Sequence, residues 1–533
     1  MLNDETEKMN QSATDFSLAD KERLKIENPR LENLYNHLSE AAKNSYSDPL
    51  LLSNAVFAKS DLPLSALDDY LEEKEIEPIS FLFSLNKIIR YFTKSVGWLF
   101  VSWVQGLAHG LSRQKFVPDP QKPFTLIDIN LTPKEVAQNG DFNDRYFPGL
   151  EGKLKSKGMN YAYVPKFFGE ENPIIYYKMF RRLKEKKRPV LSNCQLLCSY
   201  DYLKMFVFIL VYPSRVLRQI GKLGQSQEDN LLRFLLWDTL DYTAVKNFAR
   251  QLYGRHISGL NVPALQCISW YENQPQDKNF YKGLRSVSGK VKIYGAQLYL
   301  WPSTLLNLHV EEAEIDLGLI PDRILVNGNY YLREGGRLNF KIGPSMRYLR
   351  LFQTEINPKD KMAFLVLLPF FDYEIDEILK LIGEAGFSVE VFIKFHPATD
   401  KKKYVQLLKG KMQIVEDDLY ALFNRVGCVI GKSTGALVEA ASLGIPVINI
   451  ETGLGLSHNY LPKFGKGIIW QSVSSATEVV KWGCVFRGFL KTKPDLIKVI
   501  AEKYKAMFFC EPTDQRINEA FELEGVADNY ANS

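Results

Sequence analysis

Two short stretches carry groups suited to binding a phosphate. His396-Pro397 follows the apolar run Val389 to Phe395, and Ser433-Thr434-Gly435 follows the run that ends Cys428-Val429-Ile430-Gly431-Lys432. An imidazole and two hydroxyls can each donate a hydrogen bond to an anionic oxygen without adding negative charge. Glu439 has Leu443 at i+4 rather than a lysine or arginine, so its carboxylate is available to accept from a ribose hydroxyl. A second acidic position, Glu272 in Ile268-Ser269-Trp270-Tyr271-Glu272-Asn273-Gln274-Pro275, stands where an apolar run ends. A carboxylate there suits general-base removal of a proton from an attacking hydroxyl. Asn273, Gln274, Gln297, Ser303 and Phe371 are the further candidates for touching substrate, and His458 borders the same region. Each has a plainer use as well. Ser-Thr-Gly is a common helix cap, Glu439 fits a solvated helix face, and Glu272 fits a salt-bridged or capping residue before a helix at Asn279–Arg285.

These groups must be held at strand ends. Val389 to Phe395 reads as a buried strand, and Pro397 forces the chain out of regular structure just where the imidazole emerges. Cys428 to Gly431, the small-residue turn, a helix from about Ala436 to Leu443 and a strand Pro446 to Ile450 form a β-turn-α-β unit. In open α/β sheets ligands bind beyond the carboxyl ends of strands, and helix-start amides favour an anion there. Further strands are expected at Phe124 to Ile129, Asn160 to Val164, Val291 to Gly295 and Met362 to Leu368, the last leading into a strand-end loop at Pro369-Phe370-Phe371-Asp372. Glu416-Asp417-Asp418 resembles a metal-binding cluster, but it precedes Leu419-Tyr420-Ala421, where helix capping explains it with fewer assumptions.

The His-Pro step followed by Ser-Thr at the next strand end resembles the motifs of bacterial GT-B glycosyltransferases that use CMP-activated ulosonic acids, such as polysialyltransferases and capsule Kdo transferases. The wider pattern is similar to a group described as surface carbohydrate biosynthesis proteins. The resemblance covers Phe124 to about Phe509. It implies an α/β, GT-B-like fold with two Rossmann-like domains facing a cleft. It places His396, Pro397, Ser433, Thr434, Gly435 and Glu439 around the CMP of a donor sugar, with His396 and Glu272 in catalysis. Glu272 is similar to the acidic base motif of those enzymes, although Glu-Asn-Gln departs from their paired acids before a glycine. The implied activity is transfer of a sialic-type or Kdo residue from a CMP-sugar to a surface polysaccharide, capsule, lipopolysaccharide or lipid-linked glycan, without a cofactor and without a metal. A UDP-sugar or CDP-glycerol enzyme (transferase or epimerase), or a degenerate scaffold subunit of capsule assembly, are the rival readings.

The 533 residues allow several domains. Residues 1–30 are expected as a disordered or loosely docked arm, 31–120 as a helical extension, 121–350 as the amino-terminal Rossmann-like acceptor domain, 351–515 as the nucleotide-sugar domain and 516–533 as a polar tail, with the interdomain linker at Gln353 to Lys361. A net charge of +5 is too mild for a nucleic-acid binder. Six scattered cysteines without neighbouring histidines, and a polar acidic start without a basic and apolar leader, point to reduced thiols and a cytoplasmic protein. The apolar run Ser95 to Ala108 is diluted by Gln105 and glycines, so an amphipathic helix is expected in place of a span. Packing in the protein is favoured for it over peripheral contact with the cytoplasmic face of the inner membrane. Met205 to Tyr212 is too short to span and is expected to end at Pro213. The basic run Arg181 to Arg188 is expected as a solvated helix face, or as a contact for anionic lipid head groups or a lipid-linked acceptor.

Overall fold

The computed structural model describes residues 21–48, 50, 52, 64–76, 79–287, 291–356, 361–369, 372–396, 399–451 and 458–523. Two six-stranded sheets organise it. The first contains β1 (Phe124–Asp128), β2 (Asn160–Tyr163), β3 (Leu265–Trp270), β4 (Val291–Gln297), β5 (Arg323–Val326) and β6 (Phe340–Ile342), in the order β2-β1-β3-β4-β5-β6. The second contains β7 (Ala363–Leu367), β8 (Val391–Lys394), β9 (Met412–Ile414), β10 (Val426–Gly431), β11 (Val447–Ile450) and β12 (Trp470–Val473), in the order β9-β8-β7-β10-β11-β12. Every pairing in both sheets is parallel, for example Leu126 with Cys267 and Leu367 with Gly431. Unbroken apolar runs explain this: strands such as Phe124–Asp128 and Val447–Ile450 are buried at every position, as helix-covered parallel strands must be. The second sheet has the dinucleotide-fold order, whose reversal between β7 and β10 opens a crevice at their carboxyl ends. The chain is thus α/β, with two Rossmann-like domains in a GT-B-like arrangement.

A helical layer covers the amino-terminal domain, and two separate stretches build it. The helices Pro29–Ser47, Leu64–Leu71 and Phe81–Ser112 come from the expected extension. They share one apolar core with the helices Ser199–Ile220, Gln227–Asp238 and Thr243–Ser258, inserted between β2 and β3. The helix Ser199–Ile220 runs through Pro213 instead of ending there.

Both chain ends tie the domains together. The Glu22 carboxylate accepts from the amides of Lys463 at 2.6 Å and Phe464 at 3.1 Å in the second domain. Two residues on, the Leu24 amide donates to Tyr330 O in the first domain at 2.8 Å. Residues 1–20 of the expected arm lie outside the described residues. Where the sequence suggests a polar tail from residue 516, the helix Asp514–Phe521 returns to the first domain. There Phe521 is buried against Phe147 and Tyr294. The alternation Ile517, Ala520, Phe521 is the apolar stripe that a short polar-looking helix needs for this docking.

Candidate functional site

At the carboxyl edge of the first sheet, the loop after β3 is fixed from beneath by charge. Lys166 is buried, with its ammonium 2.7 Å from Asp277 Oδ1, 3.5 Å from Asp128 Oδ2 and 2.9 Å from Trp270 O. Arg250 pairs with the other Asp128 oxygen. Burial opposes the charge on Lys166, but Asp128 and Asp277 outweigh it and push the ammonium up to about 12. Removing one partner from such a set leaves an uncompensated buried charge, so the four hold one another in place. Asp277 Oδ2 in turn accepts from the amides of Glu272 and Gln274, both at 3.1 Å, which fixes the loop that presents Glu272.

The Glu272 carboxylate accepts from Trp270 Nε1 at 2.9 Å and from Gln274 Nε2 at 3.3 Å. Both donors are neutral, and no described cation lies within ion-pair distance. Burial therefore raises Glu272 above the usual carboxylate range, and Asp277 adds to this, while Lys166, the Trp270 hydrogen bond and Arg347 pull the other way. A carboxylate of raised basicity held at a strand end can accept a proton. The helix cap belongs to Gln274 and Asp277, so Glu272 is free of that duty.

At the carboxyl edge of the second sheet, Lys432 ends β10 fully buried, 3.3 Å from Glu374 and 3.7 Å from Glu377 of the helix Asp372–Ala385. Ser433 takes a left-handed backbone, φ 53°, and its hydroxyl donates to Glu374 Oε1 at 3.2 Å. Thr434 Oγ1 accepts from the Ala436 amide at 3.3 Å, just before the helix start, which leaves its own O–H to donate. His396 is exposed at the end of β8, and partial desolvation lowers its imidazole below the usual histidine range. It stands two strands from Thr434, roughly 10 Å at the usual strand spacing. Glu439, half-buried on the helix Ala436–Ser442, accepts from the Tyr420 hydroxyl at 2.6 Å through Oε2. Burial raises it too, with Tyr420 and Arg347 opposing.

The two edges face each other. Thr304 Oγ1 lies 2.7 Å from His458 Nδ1 across the cleft. Burial, reinforced by the Lys432 charge, lowers His458 to about 4, so it is neutral at pH 7. A Cβ on Gly435 would stand 2.9 Å from Leu300 Cβ, so Gly435 is required by the facing domain. Arg347, just before the linker helix Leu349–Gln353, is exposed with its guanidinium carbon 5.9 Å from the centre of the Trp270 ring. Its charge reaches Glu272 and Glu439, one from each domain, yet it makes no hydrogen bond or ion pair with a described residue. An unpaired, planar guanidinium between the two edges suits a phosphate or carboxylate.

No protein family and no curated protein sequence matches the chain. Among solved structures, it is similar to MurG of Acinetobacter baumannii at 9% identity, covering 75% of this chain and 100% of that one, with a TM-score of 0.38. It is similar to the UDP-GlcNAc 2-epimerase from Neisseria meningitidis, solved bound to UDP-GlcNAc, at 12% identity over 75% and 100%, TM-score 0.41. A third similarity is to the wall teichoic acid polymerase TagF, at 11% identity over 85% and 99%, TM-score 0.34.

Several expected substrate contacts have structural duties instead. Asn273 is buried at φ 53°, accepting from the Tyr271 hydroxyl and donating to Asn307 O, both at 2.7 Å. Gln297 is fully buried and reaches only Leu308 O, at 3.5 Å. Gln274 caps its helix and touches Glu272. Ser303 is half-buried, and its carbonyl accepts from His309 Nε2 at 2.8 Å, while its neighbour Thr304 faces the cleft contact. Phe371, Pro397 and the Gly453-Leu454-Gly455 loop lie outside the described residues. Among the described residues, Cys198, Asp201 and His256 could offer three metal-ligand atoms. Asp201 Oδ2 already accepts from the Cys198 amide at 3.0 Å and lies 2.6 Å from His256 Nε2, which accounts for the grouping as a capped helix start with a histidine partner.

Proposed function

We propose that the chain is a glycosyltransferase that moves an ulosonic acid, sialic-type or Kdo, from a CMP-activated donor to a hydroxyl of a surface glycan or lipid-linked glycan. The observation that carries the reading is the meeting of two carboxyl edges across one cleft, Glu272 with raised basicity on one side and His396, Thr434 and Glu439 on the other, with Arg347 between them. The CMP assignment rests further on the resemblance of the His-Pro and Ser-Thr steps. In this reaction the acceptor hydroxyl loses its proton to Glu272 as its oxygen bonds to the anomeric carbon. The bond from that carbon to the phosphate oxygen breaks, and its electron pair leaves with CMP. Thr434 O–H, the neutral His396 and Arg347 stabilise the charge that develops on the phosphate, the role that fixed donors fill most effectively in a water-poor cleft. Glu439 Oε1, which has no described partner, accepts from the ribose.

Calorimetric titration of the purified protein with CMP, UDP and CDP, with and without magnesium, tests the reading. Selective CMP binding that weakens in His396→Ala supports it and directs donor screening to CMP-Kdo and CMP-sialic-type sugars. Selective UDP or CDP binding replaces it with the UDP-sugar or CDP-glycerol alternative, and folded protein that binds none of the three overturns the donor site.

A further inference from the structure

The helix Phe81–Ser112 is apolar on the side that faces away from the core as well as on the side that packs into it. Its inward face buries Tyr91, Trp98 and Ala108 together with Ser95, Ser102, Gln105, His109 and Ser112, while its outward face presents a further apolar stripe at spacings of three and four. Along that stripe Leu82 is 75% exposed, Ile89 55%, Phe100 64%, Trp103 47% and Leu111 76%. At 1.5 Å per residue the stripe from Leu82 to Leu111 runs for roughly 44 Å. The helix Ser199–Ile220 packs beside it, joined through the Tyr202 hydroxyl to Ser102 O at 3.1 Å. It has its own outward row, in which Leu203 is 56% exposed, Val207 50% and Leu210 54%. An amphipathic surface helix normally turns its apolar side to the core and its polar side to water. Here the core takes Tyr91 and Trp98 beside several polar groups, and the outward face still presents leucine, phenylalanine and tryptophan.

Charge identifies what covers this face. The first helix carries Lys87, Arg90 and Lys94 and no acid. The second carries Lys204, Arg215 and Arg218, and its one acid, Asp201, is buried. Arg90, Lys94 and Arg218 are exposed, and the helix Pro173–Glu185, packed against the first, adds exposed Arg181 and Arg182. A long apolar stripe with Trp103 exposed on it, whose own two helices carry cations and only the buried acid Asp201, matches the boundary between acyl chains and anionic head groups, even with Glu185 beside Arg181 and Arg182 and Asp238 beside Lys87. No helix of the described residues is long and apolar enough to cross a membrane, so the pair would lie in the surface plane. We propose that the outward faces of the helices Phe81–Ser112 and Ser199–Ile220 dock the protein onto an anionic lipid bilayer. This assignment is independent of the glycosyl-transfer reading.

The test is flotation of the full chain with phosphatidylcholine vesicles and with vesicles that also contain phosphatidylglycerol, at low and high salt, for wild type and the double variant Phe100→Gln, Trp103→Gln. Both substituted side chains are exposed, and an unchanged thermal melt verifies the fold. The expected result is flotation of wild type on the anionic vesicles, reduced about fivefold or more by high salt or by the double substitution. Equal flotation on neutral vesicles, or none on either, would overturn the assignment. So would wild type that sediments as a dimer in the absence of lipid and a double variant that sediments as a monomer, since the face would then belong to a second copy of the chain.

Discussion

Trp270 Nε1 donates to Glu272 Oε1 at 2.9 Å, so the raised carboxylate is oriented by a neutral donor from its own strand. If Glu272 is the base it must be ionised, and kcat/KM for transfer will rise with pH through its raised pKa and then level off. Trp270→Phe removes a donor that lowers that pKa and shifts the rising limb to higher pH. Glu272→Gln is expected to lower kcat by about 10²–10⁴-fold with nucleotide affinity retained, and full activity in that variant removes Glu272 from the chemistry.

The same shift has a stability consequence of definite sign. A carboxyl group whose pKa is raised on folding stabilises the protein while protonated. That contribution is complete below the usual carboxylate pKa and is lost as pH rises through the folded value. Glu272→Gln escapes the loss. Its melting temperature relative to wild type should therefore climb from pH 4 towards neutrality, whereas a flat difference would mean that Glu272 carries no desolvation penalty.

Arg347 stands between the carboxylates of the two domains without a described partner. Hydrogen bonds to charged groups are worth about 1.5–3 kcal/mol, so Arg347→Ala is expected to weaken nucleotide binding by about 10–100-fold. Arg347→Lys should recover only part, because an ammonium cannot reproduce the planar fork. Calorimetry on both variants decides the point, and unchanged affinity in Arg347→Ala removes the residue from the anion site.

The two-sheet fold was legible because its strands are long apolar runs closed by glycine or proline, as at Cys428–Gly431 and His396-Pro397. The strand-end positions of Glu272, His396 and Ser433 followed from the same pattern. The sequence did not disclose which polar groups a tertiary partner had already claimed. Asn273 and Gln297 look like open amides until the fold buries them, and nothing in the sequence pairs Lys432 with Glu374 and Glu377, which come from a separate helix. Arg347 lies before the expected linker, in a stretch with no motif, and its position between the two edges depends on the tertiary fold. The run Ser95 to Ala108 lies within the helix Phe81–Ser112, but periodicity alone does not say how much of its apolar surface is covered, and beside the buried Tyr91 and Trp98 a second apolar stripe faces outward.

Gly435 and Leu300 approach each other from opposite domains, and a Cβ on Gly435 would meet Leu300 Cβ at 2.9 Å and Cδ1 at 3.2 Å. Gly435→Ala should hold the domains apart, at a cost of about 1–3 kcal/mol for overpacking, and lower transfer activity. Leu300→Gly in the same chain, which removes the Cβ at 2.9 Å as well as Cδ1, should restore most of it. The measurement is a double-mutant cycle on kcat/KM and melting temperature. Additive effects would show that Gly435 matters for something other than this contact.

His458 joins the domains through Thr304 and is held at about 4, first by burial and then by the neighbouring Lys432 charge. A histidine lowered on folding binds fewer protons in the native state, so its contribution to stability is intact above about 6.5 and is lost as pH falls through the folded value. His309, pushed down to about 3 by burial and Arg333, adds a second loss over an overlapping range. The two histidines should therefore withdraw stability between pH 6.5 and 4, against the gain from raised carboxyls such as Glu272. His458→Asn keeps a hydrogen-bonding group opposite Thr304 but cannot protonate, so its melting temperature should fall less steeply over that window while His309 retains its share. Since protonation would place a second cation beside Lys432 at the domain junction, nucleotide affinity should weaken with falling pH in wild type more than in His458→Asn. Identical pH profiles for the two proteins would show that the junction does not depend on a neutral imidazole.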